Sequence, residues 1–453
     1  MLSETICALA TPAGGALGVI RISGDKTFKI VEGMLRTRKG MPFTYDRDKK
    51  RFYGDLISIE GELIDDVVVN FFSSPHSYTG EDCAEISCHG SAYILQQALA
   101  ALIRAGCRQA EPGEYTKRAY LNGRMDLSQA EAVADLISAS NEASHKVALG
   151  QLRGHISNAL ANLRDKLLKM NSLLELELDF SDHEELEFAK RPELQALAEE
   201  LKDKIEKIAS TFAAGKAIKE GIAVAIVGKP NVGKSTLLNR LLREDRSIVS
   251  NVSGTTRDVI EDTTTIHGIT FRFIDTAGLR DTSDEIERMG IERTYKKISE
   301  ASVVLWVVDE RPSQKEIAEM GSLAIGKKMI MVLNKADLHH PEGTSPQTED
   351  EISLSAKYDH DLSHLEEVLY RSACIPDLSE NDVIVTNSRH YSTLVKANES
   401  IGRVIDSLQQ GLSADFISED LRICLDDLAD ITGGAITPQE TLNSIFSHFC
   451  IGK

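Results

Sequence analysis

The sequence predicts a multidomain α+β chain in which a helical domain is interrupted by an inserted α/β domain with a phosphate-binding loop. Three observations carry this expectation. At 453 residues the chain exceeds what one hydrophobic core usually supports. A strand-like apolar run at 222–227 leads directly into Gly228-Lys-Pro-Asn-Val-Gly-Lys-Ser235. Helical periodicity flanks that region on both sides.

Residues 1–118 mix short strand-like runs at 18–23, 67–72 and 84–88 with the turn residues Pro12, Gly14, Gly15, Gly24, Pro75 and Gly80. With a helix expected over 92–105, they read as an N-terminal α+β domain. From 127 to 219 the pattern turns helical: Leu152, Ile156, Leu160, Leu163, Leu167, Leu168 and Leu174 recur at spacings near three, four and seven. It returns over 388–449 with Leu394, Ile401, Ile405, Leu408, Leu421, Leu425 and Leu428. The economical division is 1–118, a discontinuous helical domain of 119–213 with 376–453, and an inserted domain of 214–375. Insertion suits a unit whose termini lie close together. The acidic run at 179–187 reads as a solvated loop or helix start rather than a metal site.

Composition bounds the function. No apolar run approaches the roughly 20 residues needed to cross a bilayer, and the first residues lack the basic flank and apolar core of a signal peptide. A cytoplasmic protein without membrane attachment is expected. The scattered cysteines Cys7, Cys83, Cys88, Cys107, Cys374, Cys424 and Cys450 form no C-x-x-C pair, so neither a disulfide frame nor a zinc site is indicated. A net charge of −19 disfavours strong autonomous binding to a polyanion. An RNA substrate would be gripped largely by a more basic partner.

The chemistry sits in the inserted domain. Glycines in a strand–loop–helix context let backbone N–H groups converge on phosphates, helped by the helix N-terminus. Asn231, Val232, Gly233, Lys234, Ser235 and Thr236 are the expected binding residues, with Lys234 reaching the β- and γ-phosphates and Ser235 ligating Mg²⁺. A strand at 329–333 ends in Asn334-Lys335-Ala336-Asp337, and a second at 351–354 ends in Ser355-Ala356-Lys357. An aspartate at that place accepts two hydrogen bonds from guanine and none such from adenine, so the nucleotide is a guanine nucleotide. Between these motifs, Asp275-Thr276-Ala277-Gly278 supplies a magnesium-sphere carboxylate and an N–H for the γ-phosphate. Ser253-Gly254-Thr255-Thr256-Arg257-Asp258 reads as a switch over the γ-phosphate, with Thr256 completing the Mg²⁺ shell; Gly254 as a plain turn residue is the alternative.

Ras-like enzymes orient the attacking water with a glutamine directly after that glycine. Here the residue is Leu279, which cannot do so. Arg280, Asp281, Asp284, Glu285 and Glu287 are the nearby candidates, and the residues alone do not choose among them.

These motifs, with the terminal Cys450-Ile451-Gly452-Lys453, resemble the MnmE/TrmE family of tRNA modification GTPases. Segments at 10–12, 19–24, 77–82, 89–90, 112–115 and 126–131 match it in order, so the resemblance covers the whole chain. It implies a folate-binding and dimerising N-terminal domain, a helical domain, and a G domain activated by face-to-face dimerisation. Potassium then replaces an arginine finger, held by Asn231, Ser250, Val252 and Thr255, and the nucleotide site extends over Ser250 to Thr256 with Asn251. The water-orienting glutamate falls on Glu287. A one-carbon tetrahydrofolate falls on Arg21, Glu85, Arg124 and Lys453. Arg124 stands where the family usually has lysine, keeping charge but not shape, and the loop at 12–18 lacks the family's arginine. An Arg21–Glu85 sheet salt bridge is the plainer reading of that pair. Cys450 is a candidate catalytic residue, with a buried structural thiol as its alternative. The tail is wrong for prenylation.

The implied function is a GTP hydrolase that works with the flavin-containing subunit MnmG (GidA) in a heterotetramer. That complex adds a carboxymethylaminomethyl-type group to carbon 5 of a tRNA wobble uridine. A ribosome-assembly GTPase switch is the alternative, although this acidic chain shows no basic RNA-binding appendage. A dynamin-type membrane scaffold would need an amphipathic basic helix, and none is visible.

Overall fold

The fold is taken from a computed structural model that describes residues 4–46, 50–179, 190–243, 262–274, 298–338, 348–358, 362–373, 382–434, 439–447 and 449–452. The chain packs as two compact units. One comprises Met1–Ile137, Gln151–Leu201 and Lys396–Lys453; the other comprises Ser138–Gly150 and Lys202–Val395 and is inserted into the first along the sequence.

The first unit begins with strands β1 (Ile6–Leu9) and β2 (Leu17–Ser23), helix α1 (Thr27–Gly33), and strands β3 (Leu35–Arg36), β4 (Arg51–Ile57), β5 (Leu63–Phe72) and β6 (Cys83–His89). Helix α2 (Ala92–Arg104), strand β7 (Arg108–Gln109) and helices α3 (Glu114–Leu121) and α4 (Leu127–Ser138) follow. The seven strands form one sheet in the order β3-β4-β5-β6-β2-β1-β7. All neighbours are antiparallel except β1 and β7. Alternation along β2, β5 and β6 sends Ile20, Ile22, Val67, Val69, Phe71, Ala84 and Ile86 to one face, where Leu95, Ala98 and Leu102 of α2 cover them. The opposite face keeps Arg21, Glu85 and Asn70 in register across three strands.

A buried ionic cluster closes the end of this domain. Arg118 and Glu114, one turn apart on α3, are only 1% and 4% exposed at their side chains and lie 2.9 Å apart. Arg118 also reaches Glu81 at 3.0 Å and the Glu4 carbonyl at 2.9 Å, while Arg108 holds the other side of Glu114 at 2.6 Å. One guanidinium thereby ties the segment just before β1, the loop before β6 and α3 together.

Helices α5 (Glu142–Leu152), α6 (His155–Asp179), α7 (Arg191–Ser210) and α8 (Phe212–Glu220) come next. In α6 the expected stripe is realised by Ile156, Leu160, Leu163, Leu167 and Leu174, but Leu168 is 41% exposed. Consecutive helical residues do not face the same way, so Leu167 and Leu168 cannot share a core. Of the acidic run at 179–187, all but Asp179 lies outside the described residues.

The second unit contains β8 (Ile222–Val227), α9 (Lys234–Arg243), β9 (Asp262–Ile266), β10 (Ile269–Phe273), β11 (Val303–Val308), α10 (Gln314–Leu323), β12 (Lys328–Leu333), β13 (Glu351–Ser353) and α11 (Ser363–Ser372). Its sheet runs β13-β12-β11-β8-β10-β9 and is parallel except for the β9–β10 pair. Every residue of β8 is buried. Ile222, Val224 and Ile226 pack with Leu237, Leu238 and Leu241 of α9 and Leu365, Val368 and Leu369 of α11. Ala223, Ala225 and Val227 pack on the other face with Ile298, Ala301 and Trp306. A sheet covered on both faces explains why β8, β11 and β12 read as apolar runs rather than alternations.

The chain closes with α12 (Ser388–Gln409), α13 (Ala414–Thr432) and α14 (Gln439–Ser447). In the first unit, Leu442 and Phe446 of α14, with Phe449, pack on Leu127 and Ala130 of α4. No helix among the described residues is long and apolar enough to cross a membrane.

The Glu114 carboxyl is pushed up by burial, but hydrogen bonds from Arg108, the Glu111 amide and Arg118 outweigh this and hold it below its ordinary 4.5. A depressed folded value stabilises above the unfolded pKa and ceases to do so as pH falls through the folded value. The urea midpoint of the first unit, followed by circular dichroism, is therefore expected to fall as pH drops below 4.5, and to fall less in Glu114→Gln. Arg118→Met leaves Glu81 without its cation and Glu114 with Arg108 alone, and should cost about 3 kcal/mol at neutral pH.

Candidate functional site

The loop between β8 and α9 is a phosphate cradle. Asn231 and Gly233 adopt positive φ (64° and 100°), which curls the backbone inward ahead of the first turn of α9. A Cβ on Gly233 would lie 2.1 Å from the Asn334 amide nitrogen, so only glycine fits there. Lys234 opens α9 and bends back across the loop, its Nζ donating to the carbonyls of Gly228 at 2.8 Å and Lys229 at 2.6 Å. Ser235 and Thr236 follow in the same first turn, where amides with no helical acceptor and the helix dipole favour an anion.

The end of β12 completes the site. Asn334 is buried, and its amide joins two loops: Nδ2 donates to the Val232 carbonyl at 2.7 Å, and Oδ1 accepts from the Ala356 N–H at 2.8 Å. Asp337 is exposed and accepts from the Ser355 hydroxyl at 2.5 Å. Lys335, with φ of 61°, pairs with Asp309 at 3.0 Å just beyond β11. The phosphate loop thus meets two segments about a hundred residues or more further along the chain, at the C-terminal ends of parallel strands, the general ligand position in open α/β sheets. Lys357 lies over the Tyr358 ring at 4.8 Å.

Asp309 and the bridging role of Asn334 were not anticipated. The apolar run 303–308 ending in an aspartate was the available signal for the first. The second depends on the folded positions of 232 and 356. Ser250, Asn251, Val252, Ser253, Gly254, Thr255, Thr256, Asp275, Thr276, Ala277, Gly278, Leu279 and Glu287 lie outside the described residues, as do Arg280, Asp281, Asp284, Glu285 and Lys453.

A second cluster lies on the open face of the first sheet. Arg21 pairs with Glu85 across the β2–β6 register at 2.8 Å, as the plainer reading of that pair expected. The same guanidinium stands 5.5 Å from the Tyr78 ring and 5.7 Å from the Tyr115 ring, and Nη1 donates to the Gly452 carbonyl at 3.4 Å. Burial pushes both tyrosine hydroxyls above their ordinary value of 10. Tyr115 donates to the Arg21 carbonyl at 2.7 Å, and the Tyr78 hydroxyl shares a hydrogen bond with that of Thr116 at 2.9 Å. The Arg124 stem packs over Gly80, in the loop that carries Tyr78.

The terminal segment is seated against this cluster. Ile451 bridges Pro112, and the Gly113 N–H points to the Cys450 carbonyl at 3.4 Å. Gly452 has φ of 98°, and a Cβ there would lie 2.0 Å from the Leu9 carbonyl. Cys450 is exposed, which corrects the buried-thiol alternative. The bridge fixes its backbone while Phe446 and Phe449 take the interior positions.

The doubly covered parallel sheet, the loop ending in Gly-Lys-Ser and the joined Asn334, Asp337 and Ser355 define a P-loop GTP hydrolase. Comparison with known proteins narrows the class. Residues 5–124 match the family model of the GTP-binding protein TrmE N-terminus, and residues 127–450 match that of the MnmE helical domain. The chain is 47% identical to the tRNA modification GTPase MnmE of Phocaeicola vulgatus over 99% of either chain. It is 48% identical to that of Bacteroides thetaiotaomicron over the full length of both. To that of Parabacteroides distasonis it is 50% identical, over 99% of this chain and 100% of the other. The chain belongs to the MnmE family.

Asn334→Ala leaves the Val232 carbonyl and the Ala356 N–H without their partner, a cost of about 1–3 kcal/mol. Since the two loops it joins hold the phosphates and the base, affinity for a fluorescent GTP analogue should fall by about one to two powers of ten. Wild-type affinity in the variant would reduce Asn334 to a space filler.

Proposed function

We propose that this protein uses GTP hydrolysis to drive modification of carbon 5 of the wobble uridine in certain tRNAs, in the cytoplasm. The reading follows from the match to tRNA modification GTPases along the whole chain, TrmE N-terminus and MnmE helical domain included. In this reading residues 1–118 form the folate-binding and dimerising domain, 119–213 with 376–453 the helical domain, and 214–375 the G domain. The protein is a homodimer that assembles with the flavin-containing MnmG subunit, and the tRNA is held largely by that partner.

The described residues suit these ligands. Asn334 and Asp337 read the guanine, the loop at 231–236 holds the phosphates, and the Ser235 hydroxyl is a magnesium ligand together with Thr256. Potassium, at Asn231, Ser250, Val252 and Thr255, would offset charge developing on the phosphates, as an arginine finger does. Glu287 orients water in place of the missing glutamine.

Arg21 and the exposed Tyr78 ring, with Tyr115 buried beside them, combine a cation with a flat apolar surface, a chemistry that fits a pterin bearing a carboxylate tail. A one-carbon tetrahydrofolate bound there supplies the carbon unit. Arg21, Arg124 and Lys453 provide cations for its carboxylates, and Glu85 accepts from its ring N–H groups. The tail whose Gly452 carbonyl lies beside Arg21 also carries Cys450, and its exposed thiol is the candidate catalytic group of this reading.

Nucleoside analysis of tRNA from cells lacking this protein should show wobble uridines unmodified at carbon 5, restored by the intact gene; normal profiles would remove the assignment. GTP turnover should be at least about tenfold faster in potassium than in sodium at equal ionic strength, the order expected for losing one transition-state charge contact. Equal rates would remove the cation from the mechanism.

A further inference from the structure

A cleft of about 640 Å³ opens on the N-terminal domain between α1, the β4–β5 turn and the end of α2. Its floor is apolar, with Ile30 and Met34 buried beneath it, and Ile59 stands 56% exposed at the edge. The charged side chains lining it are Lys26, Lys29, Arg36 and Arg104 against one carboxylate, Glu60. In a chain of net charge −19 this is a local excess of three positive charges on one concave surface.

The four cations are not equivalent. Arg104 pairs with Glu60 at 3.3 Å. Arg36 turns onto the carbonyls of Gly33 at 3.1 Å and Leu35 at 2.8 Å, covering the end of α1. The ammonium groups of Lys26 and Lys29 are exposed and make no ion pair or side-chain hydrogen bond among the described residues. Like charges three residues apart on one surface repel unless something negative approaches them. A small metabolite is normally oriented by fixed polar groups inside its pocket. Here Lys26 and Lys29 are point charges on flexible stems at the rim of an open cleft, which suits a row of phosphates.

We propose that this cleft holds the phosphodiester backbone of the RNA substrate, with Lys26 and Lys29 as the phosphate contacts. The assignment rests on the tRNA reading above but concerns a surface that shares no lining residue with the nucleotide loop or the Arg21 cluster.

The test is titration of an unmodified tRNA transcript against the full-length protein at several salt concentrations. In the Lys26→Ala/Lys29→Ala variant the slope of log affinity against log salt should fall by about two, and affinity at 0.1 M salt by at least about tenfold. The melting temperature and basal GTP turnover should match wild type. Unchanged affinity and slope would overturn the proposal, as would a wild-type protein that does not bind the transcript. Displacement of the lysine-dependent binding by inorganic phosphate as effectively as by an equal phosphate concentration of competitor RNA would make this a small-anion site and also overturn it. The wobble nucleoside profile separates the two levels. If loss of the protein alters the profile while the double variant binds tRNA normally, only the cleft assignment falls.

Discussion

The constraint on which the architecture depends is the seat of the C-terminal tail against the first sheet. Ile451 bridges Pro112, and Gly452 lies so close to Leu9 that no side chain fits there. Residues from the N-terminal strands and from the C-terminal tail therefore meet within one unit, and the second unit lies between them in sequence as an insertion. Closing a loop of roughly 340 residues costs about 5 kcal/mol in chain entropy. Burying Leu442, Phe446 and Phe449 on α4 contributes about 1.5–3 kcal/mol each, enough to offset that closure. The tail itself adds little apolar surface; α14 carries the energy and the tail inherits the position. In this way the Gly452 carbonyl comes to lie beside Arg21 although 431 residues separate the two.

The nucleotide site obeys a different logic. Its elements sit at the ends of strands whose positions are set by a core on both faces of the sheet, so the loops need only short polar links to one another. Asn334 is the main link. One neutral amide satisfies a carbonyl from the phosphate loop and an N–H from the base loop, and Gly233 leaves it room. A lysine or aspartate at 334 could satisfy one of those groups but not both, because neither carries a donor and an acceptor on the same planar group.

Much of this was legible in the sequence, for identifiable reasons. The run 222–227 became β8 residue for residue because a strand buried on both faces must be apolar throughout. The loop at 228–236 was legible because backbone geometry and phosphate charge leave few residue choices. What was not legible depended on side chains meeting across distance. Arg118, Glu114 and Glu81 look like ordinary surface charges in the sequence, yet Arg118 and Glu114 are buried and paired. Tyr78 and Tyr115 fall in segments that announce no contact between them; only the folded positions of the loop before β6 and of α3 bring them beside Arg21. Leu168 shows the opposite error, an apolar residue assigned to the core by spacing alone. Two adjacent leucines at 167 and 168 fit the same count, and only the helix phase separates them.

Charge was the least legible property, because a net value describes the far field and a binding surface uses the near field. At 0.1 M salt a charge is felt over about 10 Å. A phosphate in the cleft at α1 therefore responds mainly to the charges around it, Lys26, Lys29, Arg36, Arg104 and Glu60 with the neighbouring Asp25 and Glu32, rather than to the net charge of the chain. The acidic remainder still matters. It opposes diffuse attachment of polyanions and leaves a local basic surface as the energetically distinct place for a phosphate backbone. On that view a net charge of −19 and an RNA substrate are compatible: the first limits where the second can bind.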